Sequence, residues 1–147
     1  MTAIHRRVER LRRGEDPTLV ARLASGWAVM GEVQVREGYC LLLPDPVVPH
    51  LNALRPPERA KFLADMTDLG DAILVATGAD RVNYAMFGNL EPALHAHLFP
   101  RWVSESEAER SLQPWALDWD SAASFEPGRH ADLIHRLRAT LSGQVRT

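Results

Sequence analysis

The chain has 147 residues, of which 46% are hydrophobic and 24% charged, with a formal net charge of -2. This length suits one domain around one core, residues 1–147, and the near-neutral charge argues against a protein that coats nucleic acid or an anionic membrane. The single cysteine, Cys40, excludes an internal disulfide and a Cys-based zinc site, and it indicates a reducing cytoplasm. No apolar stretch approaches the roughly 20 residues of a membrane span, and the first residues lack the apolar segment of a secretory signal.

The N-terminal extension, residues 1–24, reads as helical. Ile4, Val8 and Leu11 recur at helical spacing among arginines over residues 2–13. Asp16-Pro17, followed by apolar residues, predicts an N-capped second helical turn. We interpret the arginines as a solvated face rather than a nucleic-acid arm.

From Gly26 the pattern becomes that of strands. One strand is predicted from Trp27 through about Val35, and a second ends at Pro44, with a tight turn near residues 36–38. The second run is continuously apolar and includes Cys40, which predicts a central strand with a buried, unreactive thiol. The following residues, 45–50, contain two prolines without amide donors and form a predicted loop.

A long helix is predicted from Pro56-Pro57 to about Gly78, with an apolar stripe that packs on the sheet. Strands are then predicted over 81–87 and 94–101, with a loop over 88–92, and a final amphipathic helix begins at about Pro127. These elements predict an α+β fold whose sheet is mainly antiparallel, with a long packing helix and extra terminal helices. The glycine-rich phosphate-binding motifs of nucleotide enzymes are absent from the sequence.

Two histidines near the end of this pattern share one face of a strand. Because side chains alternate along a strand, His95 and His97 point the same way, while Leu94, Ala96 and Leu98 point into the core. A metal site needs further ligands that the neighbouring sequence does not supply. Isolated histidines of this kind often only hydrogen-bond the backbone.

The residues around the histidines favour phosphate chemistry. A hairpin would bring Asn83, Gly88 and Asn89 towards the imidazoles, where amides and a close backbone approach suit phosphate oxygens. Arg101 at the strand end adds a candidate charged contact. An imidazole beside such donors can attack phosphorus and form a phosphoramidate that water hydrolyses.

The run from Asn83 to Arg101, NYAMFGNLEPALHAHLFPR, resembles the signature of the histidine triad (HIT) superfamily, especially its prokaryotic dinucleoside polyphosphate hydrolase-like members. The resemblance extends over about residues 25–102, which leaves a C-terminal extension of 103–147. It implies an α+β domain with a five-stranded antiparallel sheet, usually a homodimer. It also implies a nucleotide-binding protein that cleaves at the α-phosphate through a covalent nucleotidyl-histidine.

Position by position, the resemblance implies that His95 is the nucleophile and that His97 helps to hold the phosphate. Asn83, Gly88 and Asn89 match the polar and phosphate-side positions of the motif. Ala93 stands where the first histidine of the triad belongs, and of a further family histidine only His50 lies near.

We therefore expect a cytoplasmic HIT-type hydrolase or transferase that acts on a dinucleoside polyphosphate or a nucleoside phosphoramidate, without metal, cofactor or stable nucleic-acid binding. Because Ala93 supplies no imidazole, a non-catalytic nucleotide-binding module remains an alternative, followed by a His-x-His metal-binding domain. Trp27 and Tyr39 fit core positions better than a base pocket. Trp27, Trp102, Trp115 and Trp119 are candidates for a dimer interface.

Overall fold

The computed structural model describes residues 1–143, and residues 144–147, the end of the predicted C-terminal extension, lie outside the described residues. Two single turns of 3-10 helix occur at Leu51–Ala53 and Pro114–Ala116. The helices and strands in chain order are α1 (Ala3–Arg12), β1 (Leu19–Arg22), β2 (Gly26–Met30), β3 (Val33–Gln34), β4 (Cys40–Pro44), α2 (Pro56–Thr77), β5 (Arg81–Ala85), β6 (Ala96–Arg101), α3 (Glu107–Arg110), β7 (Ala123–Ser124) and α4 (Pro127–Gly143).

Five strands form one antiparallel sheet in the order β1-β2-β4-β6-β5. The register places Leu41 opposite His97 on the β4–β6 side and Ala85 opposite His97 on the β5 side. The predicted α+β class with a mainly antiparallel sheet is confirmed. The fully buried β4 is the central strand that its apolar run predicts.

The two faces of the sheet carry separate apolar clusters because side chains alternate along each strand. One face, with Leu42 and Leu98, packs against α2 and α4. The other face, with Leu41 and Phe99, packs against α1 and the segment that follows β6. The histidine strand therefore lies between two covered layers.

The long helix α2 has the signals that predict it. Pro56 and Pro57 occupy its first positions, where missing amide donors cost nothing, and Gly78 ends it in the left-handed conformation with φ of 69°. Phe62 and Ile73 on its inner stripe are fully buried against the sheet. Within residues 1–143, no helix combines the length and the apolar character needed to cross a membrane.

The second helical turn predicted after Asp16 is wrong, because residues 19–22 form the edge strand β1. The Asp16 carboxylate accepts hydrogen bonds from the Thr18 amide and hydroxyl and from Arg7, so it stabilises a turn between α1 and β1. Val20 is then fully buried in the core by strand alternation. An aspartate before proline suits a turn as well as a helix start.

The predicted pairing of β2 with β4 is confirmed, but the first strand ends at Met30 instead of continuing to Val35. Gly31 follows, and a Cβ atom there would lie 2.3 Å from the Tyr39 ring. The next residues form β3, which pairs with β7 near the C-terminus. This small second sheet attaches the C-terminal segment to the main sheet, a contact that hydrophobic pattern does not reveal.

The two edges of the main sheet differ. At β1, the guanidinium of Arg138 on α4 donates to the carbonyl groups of Leu19 and Val20. At β5, Tyr84 lies opposite Leu98 in the register, and its partly exposed ring lies next to Gly70 of α2. The backbone of the β1 edge is therefore hydrogen-bonded by the side chain of Arg138. The opposite edge of the sheet is strand β5.

Candidate active site

His95 and His97 lie together, as strand alternation predicts. Strand β6 begins at Ala96, so His95 immediately precedes it and His97 lies within it. Their ring centroids are 4.8 Å apart, with the rings nearly perpendicular. Leu94 and Leu98 are buried on the opposite face, which fixes the backbone that carries both imidazoles.

The backbone orients the His95 ring. Nδ1 of His95 lies 2.7 Å from the carbonyl oxygen of Ala93. A carbonyl oxygen can only accept a hydrogen bond, so Nδ1 carries a proton, and in the neutral ring the lone pair is on Nε2. The imidazole is therefore held in the tautomer that a nucleophilic Nε2 requires, without any contribution from the side chain at position 93.

His97 has a more buried environment. Its Nδ1 lies 2.6 Å from the hydroxyl of Tyr39, and its ring is nearly parallel to those of Tyr39 and Phe99 at centroid distances of 6.0 Å. Trp115 meets the ring edge-on at a centroid distance of 4.9 Å. Burial, and secondarily the charge of His95, lowers the pKa of His97 to about 4, so the ring is neutral at neutral pH.

A cavity of about 250 Å³ lies beside His95. The structure brings His50 and Gly88 to its lining, and the backbone at Gly88 has a φ of 91° that favours glycine. Phe87 and Met86 supply apolar walls. Asn89 is exposed on the adjacent loop and is not among the residues that line this cavity.

Arg101 has partners other than the histidines. Its guanidinium donates to Glu105, to Oδ1 of Asn83 and to the carbonyl groups of Leu112 and Glu109, at distances of 2.9 to 3.1 Å. Asn83 and Arg101 line a second cavity of about 680 Å³, which also contains Phe87 but not His95. These contacts of Arg101 attach the C-terminal segment to the sheet.

Glu105 is the acidic partner in this attachment. It accepts hydrogen bonds from Arg101, from Arg36 and from the Trp102 amide, and its side chain is only 7% exposed. Burial raises the pKa of Glu105, but hydrogen bonds from Arg101 and the Trp102 amide, and then from Arg36, outweigh this effect and lower it to about 2. The pairing keeps the carboxylate ionised at neutral pH.

Two tryptophans of the C-terminal segment, Trp115 and Trp119, pack on the sheet face that carries His97. Trp115 packs edge-on against Phe87 as well as His97, and Trp119 packs edge-on against Tyr39. Sequence reasoning assigned Trp115 and Trp119 only to an interface, because their neighbours on the sheet are distant in the chain. Trp27 lies elsewhere and donates from Nε1 to Asp45, while Tyr39 has the core position expected for it.

A metal-binding role for the two histidines lacks further ligands. Among residues 1–143, no group of three or more His, Cys, Asp or Glu side chains is arranged to hold a metal ion. Nδ1 of each imidazole is already within hydrogen-bond distance of a protein oxygen.

No protein-family model and no curated protein sequence matches the chain. Solved structures do match: a histidine triad protein from Marinobacter aquaeolei VT8 superposes with a TM-score of 0.76 at 16% identity, over 99% of both chains. A histidine triad protein from Bradyrhizobium japonicum gives a TM-score of 0.74 at 21% identity, over 88% of this chain and 94% of that chain. The chain has the histidine triad fold. A hypothetical histidine triad nucleotide-binding protein from Sulfolobus tokodaii strain7 shares the HIT fold with a TM-score of 0.72 at 16% identity, over 92% and 91% of the two chains.

The likeness to HIT-fold structures covers more than the predicted core of about 25–102. The Marinobacter structure superposes over nearly the whole chain, so both terminal segments have counterparts in at least one other HIT-fold protein. The C-terminal segment that packs against His97 therefore lies within the part of the chain that superposes on this structure.

Proposed function

We propose that the chain is a HIT-superfamily nucleotide hydrolase or nucleotidyl transferase, in which His95 attacks the α-phosphorus of a nucleotide. The observation that carries this proposal is the hydrogen bond from Nδ1 of His95 to the Ala93 carbonyl. It leaves the Nε2 lone pair available on a side chain that lines a cavity. An oriented neutral imidazole is a competent nucleophile towards phosphorus.

The proposed reaction has two displacements. Nε2 of His95 forms a bond to the α-phosphorus while the bond from phosphorus to the leaving group breaks, and the leaving group departs with the electron pair and acquires a proton from solvent. Water then attacks the phosphorus, the phosphorus–nitrogen bond breaks, and a nucleoside monophosphate and the free imidazole result. If an acceptor other than water attacks the phosphorus, the nucleotidyl group is transferred to that acceptor, and the protein acts as a transferase.

The surroundings of His95 support a phosphate in the cavity. His50 and the backbone at Gly88 line it together with His95, and we propose that they contact phosphate oxygens. We keep Asn89 as a proposed phosphate contact from the adjacent loop. We also keep Asn83 and Arg101, which hydrogen-bond each other and line the larger cavity, as proposed phosphate contacts.

The substrate class that we propose is a dinucleoside polyphosphate or a nucleoside phosphoramidate. The test compares wild-type protein with His95→Ala and with His135→Ala, a matched control because His135 is exposed on α4. We expect His95→Ala to lose about 10³-fold or more in kcat, equivalent to about 4 kcal/mol, with the fold and the control unaffected. A radiolabelled nucleotide retained on wild-type protein after an alkaline quench, and absent from His95→Ala, is the accompanying result.

A nucleotide-binding module without turnover is the second candidate. It is favoured by Ala93, a fully buried residue whose methyl group offers no proton or charge to a leaving group. Equal, negligible rates for wild type and His95→Ala, with nucleotide binding retained in both, would establish it over the hydrolase.

We also propose that the chain forms a cytoplasmic homodimer through the open edge of β5. The β1 edge is occupied by Arg138, whereas β5 adjoins the exposed side chains of Val103 and Leu112. An uncovered strand edge beside apolar side chains is a template for pairing with another strand. The division into a HIT-like core and two extensions within one domain stays part of this proposal.

A further inference from the structure

We propose that Tyr39 is a positioning residue for His97, fixing the tautomer in which Nδ1 accepts a hydrogen bond and Nε2 carries the proton. The proposal deepens the proposed function, because a neutral His97 with a protonated Nε2 beside His95 is a hydrogen-bond donor for a phosphate. Tyr39 immediately precedes β4, and it orients the ring of His97. Position 93, where the resemblance places another histidine, holds an alanine and cannot orient either imidazole.

The contact that carries the inference is short and enclosed. The Tyr39 hydroxyl lies 2.6 Å from Nδ1 of His97, and Tyr39 is 5% exposed. Within the described part of the chain, His97 is the hydrogen-bond partner of this hydroxyl. A buried phenol proton needs an acceptor, and Nδ1 of His97 provides one.

The opposite arrangement is costly. If Nδ1 of His97 carried the proton and donated to the phenol oxygen, the phenol proton would lose its acceptor inside the protein. An unmade buried hydrogen bond costs about 1–3 kcal/mol, which corresponds to a factor of about 5 or more in the tautomer ratio. Burial also raises the pKa of Tyr39, so the phenol keeps its proton.

Tyr39 is itself held firmly. Its ring stacks on Phe99 at a centroid distance of 4.2 Å and an interplanar angle of 8°, and its carbonyl accepts from the Gly31 amide and from Nε2 of Gln34. Gly31 leaves room for the ring, because a Cβ atom at that position would lie 2.3 Å from two ring carbons. The hydroxyl therefore presents a fixed donor to His97.

The two imidazoles thus receive their orientation from different groups. A backbone carbonyl acts on His95, and a phenol acts on His97. Each contact uses Nδ1, which leaves Nε2 unprotonated on His95 and protonated on His97. These two contacts therefore place a nucleophile, His95, beside a neutral hydrogen-bond donor, His97. Neither contact involves the side chain of Ala93.

The test reads the tautomer directly, by long-range ¹H–¹⁵N NMR on ¹⁵N-histidine-labelled protein. We expect wild-type His97 to show an unprotonated Nδ1 and a protonated Nε2 from about pH 6 to 9. Tyr39→Phe keeps the stacked ring but removes the hydroxyl, and we expect a mixture of tautomers. Tyr84→Phe, the same change at the other tyrosine of the chain, serves as the matched control and should leave His97 unchanged.

A wild-type His97 with the proton on Nδ1, or an identical tautomer in wild type and Tyr39→Phe, would overturn the proposal even if the variant is destabilised. With substrate, Tyr39→Phe should lower kcat about tenfold at unchanged KM, while Tyr84→Phe should not. The NMR result needs no turnover. An inactive wild type with the expected tautomers therefore refutes the hydrolase and still supports the role of Tyr39.

Discussion

Replacing Glu105 with glutamine tests the hydrogen bonds that attach the C-terminal segment to the sheet. In the folded protein the pKa of this carboxyl falls from 4.5 to about 2. A fall of this size corresponds to about 3 kcal/mol of stabilisation of the folded protein at neutral pH, because the folded protein stabilises the ionised carboxylate by hydrogen bonds. The side chain is 7% exposed, so solvent screens little of this interaction.

The stabilisation has a defined pH window. Because the pKa is lowered on folding, the contribution is fully present above about pH 4.5 and is lost as the pH falls towards 2. Between about pH 7 and pH 3 the contribution decreases by about 2 kcal/mol. Glutamine does not titrate, so the difference in unfolding free energy between wild type and Glu105→Gln should narrow by that amount.

Urea unfolding at several pH values measures this difference. His97 also titrates in the acidic range, but it is present in both proteins and its contribution cancels in the comparison. Glu107→Gln, at an exposed residue of the same segment, is the control and should give no narrowing. If the difference in unfolding free energy between wild type and Glu105→Gln stays constant from about pH 7 to pH 3, the reasoning is refuted.

Two further predictions concern the histidine face and the open sheet edge. Trp115→Ala should move the pKa of His97 from about 4 towards its ordinary 6.5, because the ring loses the neighbour that covers its edge; an NMR titration that still gives about 4 would contradict this. Val103→Asp should convert a dimer to a monomer in analytical ultracentrifugation, since it places a charge beside the β5 edge. Glu107→Gln, away from that edge, should leave the mass unchanged, and a wild type that is monomeric at all concentrations would exclude the proposed dimer.

Local signals in the sequence account for the parts of the fold that were predicted correctly. Helix α2 carries its own prolines and terminal glycine, and its stripe of apolar residues has the helical period. The shared face of His95 and His97 follows from the period of two of an extended chain, although β6 itself begins only at Ala96. These features need no knowledge of which elements pack together.

The features that were missed depend on distant partners. Strand β1 is short, and its burial depends on packing against α4 rather than on its own pattern. The contact of Tyr39 with His97 joins residues 58 positions apart, and the pairing of Arg36 with Glu105 joins residues 69 apart. The ion pair of Arg101 with Glu105 was not predicted either, although Glu105 lies only four residues later in the chain.

The side chain of Arg138 on the β1 edge limits what the sheet can build. A sheet with two free edges can add neighbours on both sides and grow without end. Here the guanidinium of Arg138 occupies one edge, so the proposed pairing through β5 would use the remaining edge of both copies. A two-fold contact of this kind is closed, and the proposed assembly would therefore stop at a dimer instead of growing into a filament.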